Sequence, residues 1–294
     1  MNPHAHHEPL SSTSPALSRR SFLAATGGLL LAAACGSSGK SASTGVRPNG
    51  ANALLLSIEP YVSAAPERIA FALADDKGRW IAGPPATIAV TPPGGVAGPP
   101  MPTVLHAEGL PTGRGVYVIE LPLTRGTWTG VVQVPGRTAA RVPWQATPSP
   151  TVVTPGAKAL VTPSPTVTNT LGVDPLCTRV PACPLHTISL DHALGTGRPV
   201  ALMFATPARC QSRYCGPVLD QLLAVADTYR DRVQLIHVEI YKDATSDALV
   251  PTVDEWQLPG EPWLFGIDRS GTVVGRLDGA MGTDEVRALL DKIA

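Results

Sequence analysis

The stretch Ala208-Arg-Cys210-Gln-Ser-Arg-Tyr-Cys215-Gly-Pro-Val218 decides the fold of the C-terminal part of this chain. Pro217 suits the first turn of a helix, where the N–H that proline lacks would have no partner. Apolar residues then recur at helical spacing, namely Val218, Leu219, Leu222, Leu223, Ala226 and Tyr229. Cys215 is therefore expected beside a helix N-terminus, where unpaired N–H groups favour a thiolate. The segment predicts redox chemistry.

Composition is compatible with two ordinary domains and does not indicate nucleic-acid binding. The chain has 294 residues, 44% of them hydrophobic, with 23 basic and 23 acidic side chains. This balance lacks the basic excess that is typical of nucleic-acid-binding domains. Proline (31 residues) and glycine (28 residues) are abundant and clustered, which indicates linkers and turns between folded parts.

Residues 1–35 have the pattern of a bacterial export signal. Ser18-Arg-Arg-Ser-Phe-Leu23 resembles a twin-arginine signal, and the mostly apolar run 24–34 leads to Cys35, which resembles the lipidated cysteine of a lipobox. The resemblance implies cleavage before Cys35 and a lipid anchor on the extracytoplasmic face of the cell membrane. Ala32 stands where a lipobox usually has leucine, so cleavage without lipidation is an alternative, as is an uncleaved anchor.

Four regions follow the predicted signal. Residues 36–50 are rich in Ser and Gly and predict a flexible tether. Residues 51–146 contain short apolar or alternating runs between Pro/Gly turns, which predicts an all-β, immunoglobulin-like sandwich. Residues 147–170 are Pro/Thr-rich and predict an extended, semi-rigid linker. Residues 171–294 alternate between strand and helix patterns and predict an α/β domain with a mixed sheet.

The region from Leu185 to Ala294 resembles the thioredoxin superfamily. Tyr214-Cys-Gly-Pro-Val218 is similar to that family's W-C-G-P-C motif, and Glu261-Pro-Trp263 stands where the family has a cis-proline. Asp268-Arg-Ser-Gly271 resembles the hairpin turn that follows, and Gly279 the glycine before the last helix. The resemblance implies a mixed sheet flanked by helices, and thiol–disulfide exchange with substrate bound at Glu261 and Pro262.

The chain departs from the family at the sulfur site. Val218 replaces the second cysteine, and Met203 stands where thioredoxins carry a buried acid, so proton transfer needs water or Glu261. We predict Cys215 as the nucleophile and Cys210 as the resolving thiol, because four intervening residues allow a disulfide. The alternative is a static Cys210–Cys215 disulfide.

The two other cysteines of the mature chain, Cys177 and Cys183, lie in a proline-rich loop before the first strand of this region. We predict a structural disulfide between them, with a second redox pair as the alternative. No cofactor or metal is predicted: His186 and His192 lack ligand-like spacing, and His237 falls within a predicted strand.

The predicted function is a membrane-anchored, extracytoplasmic thiol–disulfide oxidoreductase that acts on exported proteins or with a membrane electron donor. A first alternative is a non-catalytic binding lipoprotein with structural disulfides. A peroxiredoxin-like peroxidase would share the spacing of Cys210 and Cys215, but Met203 and Pro207 occupy positions where that family has proline and threonine. A Sco-like copper carrier would use two cysteines and a distant histidine.

Overall fold

The computed structural model describes residues 50–209 and 215–294, and for Cys215 it describes the backbone alone. The predicted export signal, the predicted lipidation site Cys35, nearly all of the predicted tether and the predicted resolving residue Cys210 lie outside the described residues. Within the described part of the chain, no helix combines the length and the apolar character needed to cross a bilayer.

The N-terminal part is an all-β sandwich, as predicted. Its strands are β1 (Asn52–Leu55), β2 (Ser63–Ala74), β3 (Thr87–Thr91), β4 (Met101–Pro102), β5 (Val104–His106), β6 (Val116–Leu123), β7 (Gly126–Gln133) and β8 (Ala140–Ala146). They form two four-stranded sheets, in the orders β1-β2-β6-β5 and β4-β3-β7-β8. Every pairing is antiparallel, and apolar residues from both sheets share one core.

Strand β2 is buried on both faces, which joins the sandwich to the rest of the protein. Ile69, Phe71 and Leu73 point into the core of the sandwich. Ala70 and Ala72 point the other way, into a core shared with the C-terminal part. Because alanine side chains are short, the sheet approaches its neighbour closely along this face.

The C-terminal part has a mixed sheet with helices on both faces, as predicted. Its elements are α1 (Leu190–Gly195), β9 (Val200–Phe204), α2 (Cys215–Tyr229), β10 (Gln234–Val238), α3 (Pro251–Glu255), β11 (Trp263–Ile267), β12 (Val273–Asp278) and α4 (Thr283–Asp291). The strand order is β10-β9-β11-β12, in which β9 and β10 are parallel and β11 is antiparallel to both neighbours. Helices α2 and α4 pack on one face, and α1 and α3 on the other.

Two details of the helices differ from the sequence analysis. Helices α1 and α3 have six and five residues and were not predicted, since they are too short to show a helical period. The sequence pattern also predicts Thr283 as the N-cap of the last helix; in the structure Thr283 is the first residue of α4, and Gly282 precedes it. The Gly282 N–H donates to the Glu285 carboxylate at 3.0 Å, which satisfies a backbone donor at the helix start.

The Pro/Thr-rich segment 147–170, predicted as an extended, semi-rigid linker, contains no helix or strand and packs against the C-terminal part. The Gly156 N–H donates to the Val273 carbonyl at 2.8 Å, and the Ala159 N–H donates to the Gly271 carbonyl at 2.9 Å. These contacts cover the outer edge of β12, whose backbone groups otherwise lack a partner strand. The described residues accordingly belong to one compact unit of the chain.

Candidate functional site

Helix α2 begins at Cys215, two residues before the predicted start at Pro217. Its buried side chains, which include Val218, Leu219 and Leu222, anchor the helix against the sheet. The predicted nucleophile therefore lies at a helix N-terminus, where the helix dipole favours negative charge. Its predicted partner Cys210 lies outside the described residues, so the pairing of these two cysteines stays a prediction.

The predicted substrate-binding pair lies at the start of β11. The Glu261–Pro262 peptide bond is cis, as predicted. The Glu261 carboxylate accepts a hydrogen bond of 2.8 Å from the Thr206 N–H, which follows strand β9. Through this hydrogen bond, the predicted substrate-binding residue Glu261 is connected to Thr206, nine residues before Cys215 in the chain.

Glu261 is suited to exchanging protons near neutral pH. Burial raises the pKa of this carboxyl to about 7, the negative charge of Glu239 adds to the increase, and the Thr206 N–H opposes it. Buried Met203 on β9 carries no ionisable group. Of the two proton carriers considered from the sequence, water and Glu261, the Glu261 carboxyl has a pKa suited to that role, which stays a prediction.

We expect Glu261→Gln to remove a pH-dependent part of stability. A carboxyl whose folded-state pKa is raised stabilises the fold below its ordinary value of 4.5, and this contribution is lost as pH rises to about 7. The free energy of unfolding, measured by chemical denaturation across this range, should fall less steeply in the variant than in the wild type. Replacement of the exposed Glu255 by Gln is the control and should leave the wild-type slope unchanged. Equal slopes for Glu261→Gln and the wild type would contradict the assignment.

A second group of chemically active side chains was not predicted. Cys177, Cys183, His186 and His237 are all buried, and their potential ligand atoms lie within 4.8 Å of one another. Both cysteines are free in this structure, so the predicted Cys177–Cys183 disulfide is absent from it. Each sulfur instead lies beside an imidazole: Cys177 Sγ is 3.8 Å and Cys183 Sγ is 3.4 Å from His237 Nδ1.

The edge of strand β10 brings this Cys2His2 cluster together. The backbone N–H of His237 donates to the Leu185 carbonyl at 3.0 Å, so the loop before α1 runs alongside the strand. The His237 ring Nε2 lies 2.9 Å from the Ala205 carbonyl. Because a carbonyl only accepts, Nε2 carries the proton and Nδ1 presents its lone pair to the cysteines and His186.

The pKa values of the two thiols in the cluster are shifted in opposite directions. Hydrogen bonding from Cys183 holds the pKa of the Cys177 thiol below its usual range although burial opposes this. The same contact between the sulfurs, together with burial, raises the pKa of the Cys183 thiol. The Cys183 N–H also lies 3.4 Å from Cys177 Sγ. Of the two thiols, Cys177 is therefore the one whose environment favours the thiolate.

Part of this cluster had a signal in the sequence. Cys177, Cys183 and His186 lie within ten residues, which is close enough for one loop to present all three. His237 follows 51 positions later and had no local signal that linked it to the loop. Leu235 and His237 lie on one face of β10, while Ile236 and Val238 face the opposite core. Strand pairing and loop position, rather than sequence spacing, complete the cluster.

Comparison with known proteins identifies the C-terminal part. The family model described as "Thioredoxin-like domain" matches residues 188–294. No curated protein matches the chain. Among solved structures, the chain is similar to "a putative Thiol:disulfide interchange protein DsbE from Chlorobium tepidum", with 18% identity, a TM-score of 0.33, and coverage of 47% of this chain and 99% of that chain.

A further solved structure is similar over a smaller share of the chain. The Lin-41 filamin domain has 14% identity and a TM-score of 0.25, with 35% of this chain and 96% of that chain covered. Structural similarity this low carries no argument about function. The mixed strand order and the family match agree on the identity of the fold. Residues 188–294, about the last third of the chain, form a thioredoxin-like domain.

Proposed function

We propose that the thioredoxin-like domain catalyses thiol–disulfide exchange through Cys215 and Cys210. The observation that carries this proposal is the start of α2 at Cys215. Thr206, nine residues earlier in the chain, donates a hydrogen bond to Glu261. A cysteine at a helix N-terminus has a lowered pKa and more thiolate, which is the attacking species in disulfide exchange.

The exchange proceeds in two steps. The Cys215 thiolate attacks one sulfur of a substrate disulfide, forms a mixed disulfide and displaces the other substrate sulfur as a thiolate. Cys210, as a thiolate, then attacks the Cys215 sulfur and releases the second substrate thiolate. Two electrons pass to the substrate, and Cys210 and Cys215 become a disulfide. Protonated Glu261 supplies a proton to a leaving thiolate through water, and the reverse sequence oxidises a substrate dithiol.

The place of action in this proposal is the extracytoplasmic face of the cell membrane, with a lipid on Cys35. The substrates are exported proteins with thiols or disulfides, or a membrane electron donor. The export pattern of residues 1–35 supports this part of the proposal. The sandwich serves as a docking module, because Ile58 packs beside Gly260, two residues before Pro262.

The proposal is tested by the reduction potential and reductase activity of the purified chain. We expect a reversible Cys210–Cys215 couple above roughly −300 mV. Cys215→Ser should abolish reduction of a model protein disulfide, and Cys210→Ser should accumulate the mixed disulfide, identified by mass spectrometry. Cys35→Ser is the control and should retain activity, since it removes only the predicted anchor. A Cys210–Cys215 disulfide that remains oxidised well below that potential would instead indicate a non-catalytic binding module with a structural disulfide.

A further inference from the structure

The Cys2His2 cluster has the dimensions of a tetrahedral metal site. With Zn–S bonds of about 2.3 Å and Zn–N bonds of about 2.0–2.1 Å, tetrahedral ligand atoms are separated by about 3.3–3.8 Å. His186 Nε2 lies 3.2 Å from His237 Nδ1 and 3.3 Å from Cys183 Sγ. The two sulfurs lie 3.8 and 3.4 Å from His237 Nδ1. These four of the six separations lie close to the edges of such a tetrahedron, and all four ligand atoms lie within 4.8 Å of one another.

Hydrogen bonding within the protein does not account for this convergence. His237 Nδ1 has one lone pair in the plane of the ring, because its Nε2 proton is donated to the Ala205 carbonyl. The Cys177 sulfur, the Cys183 sulfur and His186 Nε2 all approach that single lone pair. One lone pair accepts one good hydrogen bond, whereas a cation at the centre interacts favourably with all four atoms at once.

We propose that Cys177, Cys183, His186 and His237 bind one Zn²⁺ ion as a structural site. Two sulfurs and two imidazole nitrogens in a tetrahedral arrangement are a donor set typical of zinc. All four residues are buried, so the site is closed and has no open position for a substrate, as in structural zinc sites. Two thiolates also neutralise the charge of the ion, which limits the cost of burying it.

Neighbouring groups hold the ligands in place. The Ala205 carbonyl orients the His237 ring through its Nε2 proton. The buried Glu239 carboxylate accepts from the Thr178 N–H at 2.6 Å and from the Thr178 hydroxyl at 3.0 Å, next to Cys177. Contacts made directly to a ligand, such as that of Ala205, orient the ligand, and their loss weakens metal binding about 10–100-fold. Glu239 acts one residue further out, because it fixes Thr178 beside the ligand Cys177. Glu239 is therefore a positioning residue for this site.

The zinc site fastens a loop that has little regular structure. No helix or strand occurs between β8 and α1, which is where Cys177, Cys183 and His186 lie. The Thr178 hydroxyl also accepts a 3.1 Å hydrogen bond from the Ala208 N–H, near the base of the loop that leads to Cys215. Zinc bound here joins the segment that contains Cys177, Cys183 and His186 to strand β10. The zinc proposal does not require Cys215 to be redox-active.

The test uses the untagged full chain, reduced, loaded with Zn²⁺ and freed of excess metal. We expect one zinc ion per chain by elemental mass spectrometry in the wild type and in the control variants Cys215→Ser and His192→Gln. Cys183→Ser should retain little zinc, and Glu239→Gln should bind zinc measurably more weakly than the wild type. Co²⁺ in place of zinc should show the visible bands of a tetrahedral site and sulfur-to-cobalt charge transfer.

A second measurement covers the case in which Cys183→Ser does not fold. In the wild type, zinc should slow alkylation of Cys177 and Cys183 and leave alkylation of Cys210 and Cys215 unchanged, as read by peptide mass spectrometry. The proposal is overturned if the reduced, folded wild type retains no zinc, or if folded Cys183→Ser retains as much as the wild type. Retention of Cu⁺ without retention of Zn²⁺ would overturn the assignment of the metal.

Discussion

Replacing Arg68 with alanine is expected to lower the free energy of unfolding by about 3–5 kcal/mol, because it leaves a buried carboxylate without its counter-charge. The Arg68 guanidinium on β2 donates to both Glu285 carboxylate oxygens, at 2.7 and 3.1 Å. It also donates to the backbone carbonyls of Asp278 and Ala280, at 3.0 and 2.8 Å. One side chain of the sandwich thus satisfies three groups of the thioredoxin-like domain, and chemical denaturation measures its loss.

The effect of Arg68→Ala should decrease in acid. Although burial alone would raise the pKa of the Glu285 carboxyl, the Arg68 guanidinium beside it holds that pKa below its ordinary value. The stabilisation is therefore fully present above the ordinary pKa of glutamate and is lost as pH falls through the lowered folded-state value. Protonated Glu285 no longer needs a counter-charge.

A surface pair provides the matched control for Arg68. Arg79 is 74% exposed and pairs with Asp75 at 2.7 Å, so Arg79→Ala should cost at most about 1 kcal/mol. Joint replacement of Arg68 and Glu285 by methionine should cost less than Arg68→Ala, since the Glu285 carboxylate is then no longer left buried without its counter-charge. Equal stability losses for Arg68→Ala and Arg79→Ala would show that the buried pair does not hold the two parts together.

Gly279→Ala is expected to destabilise the protein by about 2–5 kcal/mol, because it combines backbone strain with a clash. Gly279 has a φ of +67°, in the left-handed region that favours glycine. A Cβ added there would overlap the Leu56 carbonyl oxygen, which belongs to the sandwich. Backbone of the sandwich cannot move away without disturbing the buried contacts of β2. Thermal and chemical denaturation of the variant measure the loss.

Gly271→Ala separates strain from the clash. Gly271 has a similar φ of +77°, but a Cβ added there would have no atom within 4 Å. The control should therefore cost only the strain of a left-handed alanine, about 1–2 kcal/mol. If the two variants lost the same stability, close packing of Leu56 on Gly279 would not contribute.

The elements of the fold with long, regular patterns were predictable from the sequence. Helix α2 and strands such as β9 and β11 carry apolar residues at spacings that local geometry imposes. The 147–170 segment was less predictable, because its prolines and threonines suit both an extended linker and a strand-like cover for β12. The segment covers a strand only if the fold places an unpaired strand edge next to it, and the sequence of the segment does not show this.

The candidate sites divide in the same way. The position of Cys215 at the start of α2 followed from spacing within a short segment, and the cis bond before Pro262 was implied by the resemblance to the thioredoxin superfamily. The association of His237 with Cys183 followed from neither, and the sequence favoured a disulfide between Cys177 and Cys183 instead. Two cysteines six positions apart suit a disulfide or a metal equally well until the neighbouring imidazoles are located.

By itself, the sequence determined the types and order of the main helices and strands, and the cysteine at the start of α2, because periodicity, turn residues and helix termini act over a few residues. Only the tertiary structure decided which distant residues meet. Parallel pairing of β10 with β9 and the return of the loop along β10 place His237 beside two cysteines. The two-sided burial of β2 places Arg68 against Glu285. Contacts of this kind depend on packing between elements far apart in the chain, which local spacing does not encode.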